Sequence, residues 1–176
     1  MLFRSLARDG AFLAHCPTSN LKLGSGIAPI QQAEARGIRF GLGTDGAASN
    51  NRLDIFHELR LAALLAKGAS GDASALKAHS ALRAATLDGA CALGLEGSIG
   101  SITRGKSADL TSIRLDEWIT GPCFDPASHI VYVAGREQVC HVWVAGKQQL
   151  RYGELTTLPP KALSELVSLW HTRILS

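Results

Sequence analysis

The chain has 176 residues, enough for one domain of ordinary size, and a compact fold of that length buries roughly 70% of the surface of its extended form. With 46% hydrophobic and 19% charged residues, 18 Gly and 6 Pro, the composition excludes whole-chain disorder and any fibrous architecture. The formal charge of +3, from 18 Lys and Arg against 15 Asp and Glu, is scattered without basic runs, so no nucleic-acid partner is expected.

The N-terminal stretch MLFRSLARDGAFLAHCP begins in mid-pattern, with Leu2, Phe3 and Leu6 at helical spacing and no capping residue ahead of them. It reads as the end of a longer helix, closed by Asp9-Gly10. Arg4, Arg8 and Asp9 interrupt its apolar residues, which argues against a secretion leader. No window approaches the ~18 to 20 apolar residues of a membrane span, so no membrane partner is expected and the cytoplasm is the default location.

Residues Ala11 to Ala14, followed by His15-Cys16-Pro17, suit a short buried strand ended by proline. The segment TSNLKLGSG reads as a polar loop, IQQAEARG as a helix stopped by Gly37, and IRFGLGTDG as a second buried strand with a glycine-rich exit. Strands apolar on both faces, alternating with helices, predict βαβ units and a parallel sheet. A long helix is expected over about Leu53 to Lys67, capped by Asn50-Asn51, and another over about Ala73 to Leu93, starting near Ser70 or Asp72.

After Leu95 the texture changes. Frequent glycines punctuate runs rich in Ile, Val and Tyr, such as HIVYVAG and QVCHVWVAG, and QQLRYGEL reads as a hairpin partner turning at Gly153. A final helix follows Pro159-Pro160, with Leu163, Leu166, Val167, Trp170 and Ile174 on one face. The expected organisation is α/β over 1–95, a β segment over 96–158, and a helix over 159–176.

Chemistry is best placed in GLGTDG, residues 41–46, because active sites of parallel sheets lie at the carboxyl ends of strands. Asp45 there suits a metal ligand or a general base, and equally a turn or helix cap. The segment lacks the spacing and the Lys of a phosphate loop. HCPTSNLKLGSG, residues 15–26, opens toward the same end and offers His15, Thr18, Ser19, Asn20 and Lys22 as polar groups, or is simply a polar loop. Cys16, Cys91, Cys123 and Cys140 lie far apart without CxxC pairing and read as reduced thiols. No HxH, HxxxH or GxSxG stands anywhere, so recognised spacings assemble no complete metal centre.

HCPTSNLKLGSGIAPI, followed by GIRFGLGTDGAASNNRLDIFHELRLAALLAK, resembles the amidohydrolase superfamily, and within it the branch of 5-methylthioadenosine/S-adenosylhomocysteine deaminases and their chlorohydrolase-like relatives. LRAATLDGACALGLEGSIGSITRGKSADLTSIRL is similar to the closing GxLxxGxxADL passage of that family, and CHVWVAGKQQLRYGEL to its VxVxGxxxxxxG hairpin. The resemblance runs from about residue 10 to 155.

It implies the C-terminal part of a metal-dependent (β/α)₈ barrel, its last two βα units, followed by a small composite β-sandwich segment and a C-terminal helix. The strand ending at His15 would be the seventh and the one leading to Asp45 the eighth. Asp45 would then be a catalytic residue and a ligand of Zn²⁺ or Fe²⁺, taking the proton of a metal-bound water that attacks the ring carbon bearing the amine. His15, Ser19 and Asn20 match the loop that contacts a small nucleoside or heterocyclic amine substrate. The other ligands of the family lie on strands before this chain starts, so a shortened gene product, a misassigned start or a piece of a split enzyme is implied. One carboxylate cannot hold a catalytic zinc, and two barrel strands leave open edges. The chain alone is therefore expected to be inactive, and a homo-oligomer is expected; the alternative reading is a truncated fragment or pseudoenzyme that acts by associating with itself or with a full-length homologue through the open edge.

Overall fold

The computed structural model describes Arg8, residues 10–157 and residues 159–175. Two compact units divide the chain: Met1–Lys106 with Leu115–Arg136, and Ser107–Arg114 with Glu137–Ser176. The helix expected over residues 2–8 lies outside the described residues, Arg8 apart. No described helix is long and apolar enough to cross a membrane.

The first unit is α/β. Strand β1 (Leu13–His15) pairs in parallel with β2 (Phe40–Leu42), with Leu13 opposite Phe40 and His15 opposite Leu42. Between them run two short helices, α1 (Pro17–Lys22) and α2 (Ile30–Glu34). The expected polar loop after His15 is thus helical in its first half. Pro17 at the first helical turn is the reason, since its fixed φ suits a helix start and its missing N–H costs nothing there.

Helix α3 (Ile55–Ser70) is capped by Asp54, whose carboxylate accepts from the backbone N–H of Phe56 and His57; the expected Asn50-Asn51 cap is replaced by this residue. Its buried stripe is Phe56, Leu59, Ala62, Ala63 and Ala66, with Glu58 among them. The three alanines let it pack closely on α4 (Ala78–Ala84) and α6 (Pro126–Tyr132), around Leu76, Ala81 and Val131.

The single helix expected over Ala73 to Leu93 is two, α4 and α5 (Leu87–Ala92). Asp72 accepts from the Ser74 N–H and hydroxyl, forming a turn where the helix was expected to start. At the break, the Thr86 hydroxyl donates to the Leu82 carbonyl. HIVYVAG, expected among the β runs, is largely helical in α6. Asp125 caps that helix through the N–H groups of Ala127 and Ser128, with Pro126 at its start, and these terminal signals override the β-branched content.

In the second unit β3 (Leu110–Ile113), β4 (Val139–Val144), β5 (Lys147–Arg151) and β6 (Glu154–Leu155) form one antiparallel sheet in that order. The hairpin turning at Gly153, where φ is +81°, is as expected. Helix α7 (Pro160–Leu175) starts at the expected proline pair, and its stripe of Leu166, Val167, Trp170 and Ile174 is exposed. The change of texture at residue 96 falls within the first unit, which extends to Lys106 and takes back Leu115–Arg136. Among the described residues the second unit holds a single sheet.

Candidate functional site

Parallel pairing sends both strands toward the same end of the sheet, so the segments that follow His15 and Leu42 emerge side by side. The Gly43 N–H donates to the His15 carbonyl at 3.0 Å, holding the two exits together. Three residues past β2, Asp45 takes a left-handed backbone conformation with φ of +58°. Aspartate tolerates this better than most residues, and the turn presents its carboxylate to solvent.

Two hydroxyls hold that carboxylate. Ser19, 2% exposed on α1, donates to Asp45 Oδ2 at 2.6 Å, and Ser49, also buried, donates to the same oxygen at 3.0 Å. The Ser19 hydroxyl, then the Gly46 backbone N–H and the Ser49 hydroxyl, hold the Asp45 carboxyl below the usual carboxylate range. It is an anion at neutral pH, and Oδ1 accepts from neither hydroxyl.

The other expected positions divide. Ser19 meets Asp45 directly. His15 is buried at the end of β1, 4% exposed, edge-on to the Phe40 ring at 6.1 Å, and its Nδ1 lacks a hydrogen-bond partner. Burial pushes its pKa down to about 4, against the opposing pull of Glu58. Asn20 is half-buried, its backbone N–H donating to the Cys16 carbonyl. The Cys16 thiol is pushed up, first by burial and then by the Asp45 charge. Lys22 Nζ leaves the carboxylate alone and donates to the Ala48 carbonyl at 2.9 Å and to Asn51 Oδ1 at 2.5 Å.

Sequence reasoning missed Glu58 and passed over Ser49 and the inward role of Asn50. Glu58 is fully buried; its Oε2 accepts the Thr18 backbone N–H at 3.0 Å and its Oε1 accepts Asn50 Nδ2 at 2.8 Å. The available signal was a charged residue four positions before Ala62, inside the apolar stripe of a helix.

Catalytic zinc sites draw three ligands from the protein. Among the described residues no three His, Cys, Asp or Glu side chains stand together as a metal-binding group. An exposed anionic Asp45 fits one position of such a set. The other positions have no counterpart in the described residues.

The α/β architecture of this unit agrees with the comparisons. The model of the amidohydrolase family matches residues 3–148, and the chain belongs to that family. It is 45% identical over 169 residues to a 5-methylthioadenosine/S-adenosylhomocysteine deaminase of Teredinibacter turnerae, covering 96% of this chain and 38% of the relative. It is 48% identical over 153 residues to the protein of that name from Moorella thermoacetica, covering 87% and 36%. Among solved structures, a zinc-bound adenosine deaminase from Xanthomonas campestris matches with a TM-score of 0.95 at 46% identity, over 98% of this chain and 39% of that one. An atrazine chlorohydrolase from Arthrobacter aurescens, complexed with zinc, matches at 0.88 and 28% identity, over 95% and 37%. The chain thus spans little more than a third of the length of the proteins it matches.

Proposed function

We propose that this chain is the C-terminal part, the last two βα units with their β segment and helix, of a metal-dependent amidohydrolase barrel that hydrolyses a C–N bond in a small nucleoside or related heterocyclic amine. An adenosine-type thioether is the favoured substrate. The observation that carries the reading is the convergence on Asp45: Ser19 from the exit of β1 and Ser49 from beyond β2 both donate to its Oδ2. Two parallel strands that aim their following segments at one ionised carboxylate match the site position of such barrels.

Asp45 supplies one ligand of a centre whose other ligands belong to the part of the relatives outside the matched stretch. A zinc or iron ion bound there would bring the pKa of a bound water toward ~7. Asp45 itself stays anionic, and the lowering of its pKa by hydroxyl donors favours the ligand role over that of a strong base. Oδ1, which accepts from neither serine hydroxyl, is the oxygen available for the ligand role. Ser19 orients the carboxylate, while His15 and Asn20 shape the segment beside it.

The test is a chimera in which this chain replaces the stretch it matches in the Teredinibacter turnerae relative. The zinc-loaded chimera is expected to release ammonia from 5-methylthioadenosine, and Asp45→Asn to lower kcat by about 100-fold or more. A folded, zinc-loaded chimera inert toward nucleosides, or one unaffected by Asp45→Asn, would overturn the reading.

A further inference from the structure

Ser19 and Ser49 are tied together a second time, behind Asp45. The residue before Ser19 is Thr18, whose backbone N–H reaches Glu58 Oε2; the residue after Ser49 is Asn50, whose side-chain amide reaches Glu58 Oε1. The groups form a closed ring: Asp45, Ser19, Thr18, Glu58, Asn50, Ser49 and back to Asp45. One pole is an exposed carboxylate and the other a fully buried one. Asn50, 1% exposed, is fixed further by its own N–H to the Gly46 carbonyl at 2.9 Å and by accepting the Leu53 N–H at 3.3 Å.

A buried carboxyl is costly unless its acceptors are used, and one set into the apolar stripe of α3 needs a reason. We propose that Glu58 is a positioning residue for Asp45: by holding the Thr18 N–H and the Asn50 amide at once, it sets the spacing at which the two serine hydroxyls grip Asp45 Oδ2. This rests on the reading of Asp45 as the site carboxylate. Glu58 acts through the ring and has no contact with substrate.

The chemistry of the ring supplies its own control. Both of the bonds that Glu58 makes here are accepted, so Glu58→Gln turns one acceptor into an NH₂ facing a donor and opens the ring at one place. Adding Asn50→Asp reverses donor and acceptor across that contact. The amide introduced at position 58 then donates to the carboxylate introduced at position 50, its oxygen still accepts the Thr18 N–H, and the second carboxylate oxygen accepts the Leu53 N–H.

The experiment records the Asp45 ¹³Cγ resonance of the 176-residue chain at fixed neutral pH. Glu58→Gln is expected to move it to the position seen in Ser19→Ala, and Glu58→Gln with Asn50→Asp to return it. In the chimera, Glu58→Gln is expected to lower kcat roughly 10- to 100-fold with KM little changed, and the double variant to recover it. A folded Glu58→Gln chain with the Asp45 resonance unmoved would overturn the inference. So would a double variant that fails to recover the wild-type resonance, including the case in which Glu58→Gln alone does not fold. A chimera inactive with native Glu58 would instead remove the proposed function, while the Asp45 resonance still decides the brace.

Discussion

His15 shows how much one side chain can carry in this fold. Neutral and buried beside Phe40, it has a pKa of about 4 against an ordinary 6.5, because burial disfavours the imidazolium more than Glu58 favours it. Between those values the unfolded chain binds a proton that the folded chain refuses. The stability contributed by the neutral ring is therefore present above 6.5 and lost as pH falls toward 4, by about 3 kcal/mol in total. Urea unfolding compared at about pH 7 and about pH 5 should show the loss, and His15→Leu should remove most of that slope. An unchanged slope in the variant would assign the pH dependence elsewhere. The position of His15 at the end of a strand was legible in the sequence. Its burial was not, since that depends on Phe40 across the parallel pair.

At the scale of elements, local signals succeeded where they were terminal and failed where tertiary packing intervened. The apolar runs before Pro17 and Gly43 gave both strands, and the proline pair gave the start of α7. The division between α4 and α5 could not be read from helical periodicity, and it leaves α5 seated directly on β2. A Cβ on Gly41 of β2 would stand 2.9 Å from the Gly89 Cα of α5, so that strand and helix touch backbone to backbone. Gly41→Ala is accordingly expected to destabilise the first unit by about 1 to 3 kcal/mol, read as a lower urea midpoint at unchanged m-value. A midpoint equal to that of the wild type would mean that α5 can shift without cost. The stretch HIVYVAG misled for a related reason: β propensity is a weak preference, and an Asp-Pro helix start seated against α3 and α4 outweighs it.

At the scale of the molecule, the parallel sheet has only two strands among the described residues, which is unusual, because parallel strands are normally covered on both faces and paired on both edges. Beside β1 and β2 runs a groove of about 510 Å³ lined by Phe12, Leu13, Leu42, Ala90, Leu93 and Ile99. With no group of three His, Cys, Asp or Glu side chains placed to hold a metal among its described residues, the 176-residue chain alone is expected to bind zinc no more tightly than its Asp45→Ala variant and to release no ammonia from 5-methylthioadenosine. Calorimetric titration with zinc and an ammonia assay test this. Stoichiometric zinc lost in Asp45→Ala, together with deamination, would sink it. The sequence by itself determined the α/β character of the first unit, the hairpin and final helix of the second, and the family, and it singled out the segment from Gly41 to Gly46 for which a site is proposed. These rest on composition, short-range periodicity and motifs contiguous in the chain. Only the tertiary structure decided what surrounds Asp45. Ser19 meets it across 26 positions of sequence and Glu58 reaches Thr18 across 40, and hydrogen bonds over such separations exist only once helices and strands have packed.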